Sequence, residues 1–128
     1  MKNNILKRVF SSGAVRNNNN KKLDYSGFLD PAVENSFAQY MHKHRKMEDG
    51  TYRNSSDWKK GIPNQVLMES LYRHMMDVHL LHEGYDVIYE NGDKITIKDC
   101  LNGVKFNINA YLLNIIKESD TKVVKRGE

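Results

Sequence analysis

Pro63-Asn64-Gln65-Val66-Leu67-Met68-Glu69-Ser70-Leu71-Tyr72-Arg73-His74-Met75-Met76-Asp77-Val78-His79-Leu80-Leu81-His82 has the length and spacing of one long helix. Proline suits a first helical position, and Gly84 stands just beyond the end. With helical periodicity, Leu67, Leu71, His74, Met75, Val78 and Leu81 share one broad face. Val66, Glu69, Arg73, Met76, Asp77 and Leu80 occupy the other side. Apolar residues on both sides predict a central helix. Glu69, Arg73 and Asp77 follow one another at i,i+4, so the arginine can be clamped between two carboxylates. Just upstream, Asp57-Trp58-Lys59-Lys60-Gly61-Ile62-Pro63 supplies a loop tryptophan and a Gly-x-Pro helix start. A buried guanidinium and imidazole need partners. The Arg73-His74 pair therefore marks where chemistry is expected.

Two further helices flank this one. Asp30-Pro31 opens the first, with Asp as N-cap and Pro at the first position. Val33, Phe37, Tyr40, Met41 and His44 carry its periodicity, and Gly50 ends it. The cationic run from His42 to Lys46 suits a helix C-terminus. The last helix covers roughly Lys98 to Glu118. Leu101, Val104, Ile108, Tyr111, Leu112 and Ile115 form its expected core stripe. Gly103, Asn107, Ala110 and Asn114 make a second, small and polar stripe open to close approach. Between the second and third helices, residues 85–97 read as a β-hairpin with Asn91-Gly92 at a type I′ turn. The expected architecture is mainly α: three principal helices, the hairpin, and a basic N-terminal arm over residues 1–28. The helical domain spans 29–118, and 119–128 is a tail. The arm, with its Asn17 to Asn20 run, is expected to be extended, with little helix or strand of its own.

The 128 residues suffice for one domain with one core. No apolar run approaches the roughly 18 residues of a membrane span, and residues 1–10 do not resemble a secretory signal. A single cysteine, Cys100, excludes an internal disulfide and a cysteine-based zinc cluster. A reducing cytoplasm (the host's, were the chain phage-encoded) is the expected location, with no membrane partner. The net charge of +4 is unevenly spread: residues 1–28 and 39–60 together carry +8, and the remainder −4. Such segments suit a phosphate-bearing ligand, or simply a solvated surface. No phosphate-binding loop, zinc spacing or nucleophile elbow is present. Aromatic and basic residues are not interleaved in the manner of nucleic-acid binders.

Glu69, Asp77 and Asp99 are the carboxylates best placed to hold Mg²⁺, a hard cation that takes one or two carboxylates and shares substrate phosphates. The competing account is structural, with Arg73 as partner of the first two and a helix N-terminus for the third. His74 is either a satisfied core imidazole or a site residue, and Arg73 beside it can grip phosphate bidentately. Trp58 can stack on a base or cap a small core. Asn107 can read a ligand or satisfy backbone. Cys100 has no basic partner nearby and reads as packed.

Taken in order, Phe10-Ser11-Ser12-Gly13-Ala14-Val15-Arg16, Lys22-Leu23-Asp24-Tyr25, Trp58-Lys59-Lys60-Gly61-Ile62-Pro63, Ser70-Leu71-Tyr72-Arg73-His74 and Phe106-Asn107 resemble the dATP/dGTP diphosphohydrolase-like domain common in bacteriophages. The resemblance covers about residues 9–116. It implies Mg²⁺-dependent hydrolysis of a purine deoxynucleoside triphosphate to monophosphate and pyrophosphate, and kinship with the all-α MazG-like pyrophosphohydrolases. By the same resemblance Arg73 and His74 are catalytic-site residues. Gly13, Arg16 and Lys22 lie on the phosphate side, Trp58 and Lys59 contact substrate, and Asn107 faces the cleft. The doubled-Glu motif of MazG-like enzymes is absent. Cys100 and Gly103 stand where members close to the demonstrated enzymes carry histidines. Three helices with apolar faces on several sides predict a homo-oligomer completing a four-helix-like core. The alternatives are a non-catalytic nucleotide-binding module and a phage protein that binds host protein or nucleic acid.

Overall fold

The computed structural model describes residues 7–17 and 22–119. Its chain divides into two compact units, Met1–Pro31 and Ala32–Glu128, each described by itself. Most of the expected tail and of the asparagine run lies outside the described residues.

The N-terminal unit, expected to hold little helix or strand, has short elements. Strands β1 (Lys7–Val9) and β2 (Val15–Asn17) pair antiparallel, with Arg8 opposite Arg16 and Val9 opposite Val15. A one-turn helix, α1 (Tyr25–Phe28), follows. Asp24 caps it, accepting from the Gly27 amide at 3.1 Å.

The second unit is helical, as the periodicity predicts. Helix α2 (Pro31–His44) opens at the expected proline. It stops six residues short of Gly50, because Lys46 and Tyr52 form an antiparallel bridge across a tight turn. A 3-10 turn (Asp57–Lys60) sets Trp58, and α3 (Asn64–His82) and α4 (Ile97–Glu118) complete the unit. Thr96 caps α4, its hydroxyl accepting from the Asp99 amide at 3.1 Å.

The hairpin expected over 85–97 shrinks to a single bridge, Ile88 to Lys94, and one further bond from the Ile95 amide to the Val87 carbonyl. A type I′ turn would need Asn91 at positive φ, and no described non-glycine residue has one. The loop instead closes as a three-residue turn. Gly92 at φ +88° donates to the Tyr89 carbonyl, and the Tyr89 amide donates to the Asp93 carbonyl. Residues 10–14 and 47–51 close by the same two bonds. One turn design serves three places.

Helix α3 packs on α4 along the small, polar stripe of α4, and most of the expected core stripe lies outside it, only Val104 and Tyr111 being half-buried. Cys100, Asn102, Gly103, Asn107 and Ala110 are buried, whereas Leu101, Ile108, Leu112 and Ile115 are exposed. Small side chains let two helix backbones approach closely, and asparagines then bridge the seam. Asn102 donates to the Ser36 hydroxyl on α2 at 3.0 Å, and Asn107 to the Ser70 hydroxyl on α3 at 3.2 Å. Asn114 donates to the Ile62 carbonyl and to Asn64 Oδ1, both at 2.8 Å. Lys43–Asp99 and Lys105–Glu34 add exposed ion pairs between α2 and α4, each worth about 0–1 kcal/mol. On α3, Leu67 is buried as expected, but Val66, Met76 and Leu80 on the far side are exposed. The central helix is covered on one side.

Candidate functional site: a cationic, aromatic cleft

Within the second unit, the end of α2, the 52–62 segment, α3 and α4 enclose a cleft of about 840 Å³. Pro63 and Gly61 fix how the 3-10 turn enters α3, and Asn114 ties the Ile62 carbonyl to α4. The Lys117 ammonium on α4 donates to the Lys59 carbonyl. These anchors hold Trp58 edge-on to Phe106 of α4, with ring centroids 5.8 Å apart at 75°. The pair lines one side of the cleft.

Arg45, Arg53 and Lys60 bring positive charge to the lining. Among the described residues Asp57 is the one acid that lines it, and Lys60 already holds that carboxylate at 2.8 Å, lowering its pKa. Arg53 donates to the His44 carbonyl at 2.7 Å, and its amide to the Arg45 carbonyl, pinning the 52–54 segment onto the end of α2. Arg45 stacks its guanidinium 5.3 Å from the Tyr52 ring. Its Nε is buried without a hydrogen-bond partner among the described residues. A buried N–H left unmatched costs roughly 1–3 kcal/mol, so an acceptor in the cleft would relieve it. Cations, a fixed indole and an orphaned guanidinium N–H fit an anionic ligand with an aromatic moiety.

Three imidazoles complete the lining: His42, stacked on the Tyr52 ring with centroids 5.4 Å apart, together with His44 and His74. His44 ends α2 and His74 sits mid-α3. Partial burial lowers both pKa values first of all, with Lys43 and then His74 adding to the effect on His44, and Arg73 to that on His74. At neutral pH both rings are therefore neutral and able to accept a proton. Ser70, one turn before His74, places its hydroxyl at the same wall.

The expected site residues divide sharply. Trp58 and His74 line the cleft. Arg73 faces away: it is exposed, and among the described residues it makes no ion pair with Glu69 or Asp77. Lys59 lies over the Trp58 ring at 5.7 Å rather than in the lining. Asn107 is 2% exposed and holds Ser70 from behind. Gly13 and Arg16 occupy the turn and second strand of the N-terminal hairpin, and Lys22 precedes α1. Sequence reasoning missed His44, Arg45 and Arg53 as site residues. The His42–Lys46 run carried the signal for the first two, but a helix C-terminus explained it equally well, and Arg53 stood alone in a polar loop.

The carboxylates expected to hold Mg²⁺ have other partners. Asp99 pairs with Lys43, Asp77 accepts from the Tyr89 hydroxyl at 3.1 Å, and exposed Glu69 accepts from Gln65. Asp77 and Asp99 do share a neighbourhood, since both raise the pKa of Cys100. Glu69 lies two turns earlier on α3, about 12 Å along the axis from Asp77. Among the described residues, no three His, Cys, Asp or Glu side chains are grouped closely enough to hold a metal ion. The three expected ligands do not form one set.

No family model, no curated protein and no solved structure matches the chain. Among the described residues, no helix is long and apolar enough to cross a membrane.

Proposed function

We propose that the cleft takes a purine deoxynucleoside triphosphate and that the chain hydrolyses it to the monophosphate and pyrophosphate. One observation carries this reading. Trp58, Lys60 and Ile62, then Ser70 and His74, and then Phe106 are separate in sequence, belong to the motifs that resemble the diphosphohydrolase-like domain, and contribute side chains to one cationic cleft. The purine would stack on Trp58 beside Phe106. Arg45, Arg53 and Lys60 would neutralise the phosphates, which is most of what phosphoryl chemistry asks of a protein. Neutral His74 would accept a proton from the water that attacks the α-phosphorus, while the bond to the bridging oxygen breaks and pyrophosphate leaves. The expected Mg²⁺ ligands do not fit a common site, so no step is assigned to a protein-held metal.

Product analysis tests the proposal. Folded protein would be incubated with each of dATP, dGTP, dCTP and dTTP, with Mg²⁺ or with chelator, and resolved by ion exchange. Monophosphate and pyrophosphate from the purine nucleotides are the expected products. Absence of product from every nucleotide would overturn hydrolysis. Thermal stabilisation by nucleotide without turnover would then favour a binding module, the reading that the dispersed carboxylates support.

Two copies of the chain would pair through α4. Ile97, Leu101, Ile108, Leu112 and Ile115 are all exposed and fall within a narrow arc of the helix. They run about 27 Å along its axis. The seven-residue step from 101 to 108 to 115 is that of a helix–helix seam.

A further inference from the structure

Helices α3 and α4 meet beneath the cleft at a point with no room to spare. A Cβ built on Gly103 would lie 2.6 to 2.8 Å from Cε1, Nδ1 and Nε2 of His74, so the imidazole lies flat over the bare backbone. One turn later on α4, the Asn107 amide donates to the Ser70 hydroxyl at 3.2 Å and to the Gly103 carbonyl at 2.8 Å. Ser70 and His74 are themselves one turn apart on α3, and both line the cleft. Two i,i+4 pairs thus face each other, the rear pair buried and the front pair in the wall.

We infer that Gly103 and Asn107 are positioning residues for the cleft, the glycine seating the His74 ring and the asparagine fixing the Ser70 hydroxyl. The inference rests on the reading of the cleft as a ligand site. Helix propensity alone would make alanine the better residue at 103, so the glycine answers to the ring above it. A methyl there meets three ring atoms at once. The ring is stiffly attached to its own helix, so it must swing toward solvent or α4 must retreat. Asn107 has a parallel role. Its amide is shared between the floor and the wall, so replacing it frees the Ser70 hydroxyl to rotate.

The test compares Gly103→Ala with Asn114→Ala, which loosens the same helix pair without touching His74. Imidazole titration of the free protein by NMR is the first readout. In the parent protein, partial burial holds the His74 pKa below the ordinary imidazole value. In Gly103→Ala it is expected to move back toward that value as the ring gains solvent, and in Asn114→Ala to stay. The second readout is dGTP binding under chelator, followed through Trp58 fluorescence. Gly103→Ala and Asn107→Ala should each weaken it about tenfold, the scale of one lost polar contact. Unchanged His74 titration in folded Gly103→Ala would overturn the inference. Should Gly103→Ala fail to fold, the His74→Ala/Gly103→Ala pair decides. Recovery of folding in the double variant supports the contact, and failure despite a folded His74→Ala overturns it. If the parent protein does not bind dGTP, the functional reading falls, while the titration still judges the seat.

Discussion

Cys100 is 1% exposed, and burial, with Asp77 and then Asp99 adding to it, pushes its thiol up to about 11. Burial and the hydrogen bond to Asp77 push the nearby Tyr89 hydroxyl up to about 12. Both groups hold their protons in the folded chain when an unfolded chain would release them. Between pH 9.0 and about 11 the unfolded thiol ionises while the native one does not, so native stability falls as pH rises through that window. At pH 8 the native thiolate fraction should be roughly a hundredfold lower than in the unfolded chain, because the shift is two decades. Alkylation with iodoacetamide, followed by mass spectrometry with and without urea, checks this. Comparable labelling rates in the two conditions would show Cys100 open to solvent. The sequence made this residue legible as packed, since no base stood near it. What it concealed was that Asp77 and Asp99, read as metal ligands, shape the environment of the thiol.

Whole elements were more legible than their edges. The starts of α2 and α3 were legible in Pro31 and Pro63, local devices that work without tertiary help. The equally local Thr96–Asp99 cap that opens α4 at Ile97 went unread, the expected start being Lys98. Thr96→Ala should therefore destabilise the chain by about 1 kcal/mol, read as a lower urea midpoint with an unchanged slope. A loss below about 0.3 kcal/mol would mean that water caps α4 as well as the hydroxyl does. The ends were less legible. Helix α2 ends early because Arg53 takes the His44 carbonyl and the 46–52 turn folds back, both of them non-local events. Asn91-Gly92 misled as well. The dipeptide announces a turn, but not its length: the loop closes over three residues, with Gly92 alone at positive φ, as Gly13 is in the N-terminal hairpin.

At the scale of the molecule, helical periodicity identified both faces of α4 but gave the core to the one that is mostly exposed. An apolar stripe says that a surface avoids water. It does not say whether the chain itself or another copy covers it. The intrachain seam went to Gly103, Asn107 and Ala110, which allow the closest approach, and left Leu101, Ile108, Leu112 and Ile115 outside. Among the described residues the apolar side chains fully buried are only Leu67, Cys100 and Ala110. One copy alone thus has a slender core, and each stripe residue buried in a pair would contribute about 1 kcal/mol or more. Pairing about a two-fold axis places the same five residues against themselves, the self-complementary arrangement such an interface requires. Light scattering should then give twice the 14.9 kDa of one chain. The double variant Ile108→Glu/Leu112→Glu should return it to one, with a lower urea midpoint because the two equilibria are linked. Neither residue lines the cleft, so dGTP affinity of the variant monomer reports whether the site is complete in a single copy. A parent chain that runs as 14.9 kDa at all concentrations would overturn the pairing and leave the stripe to another partner.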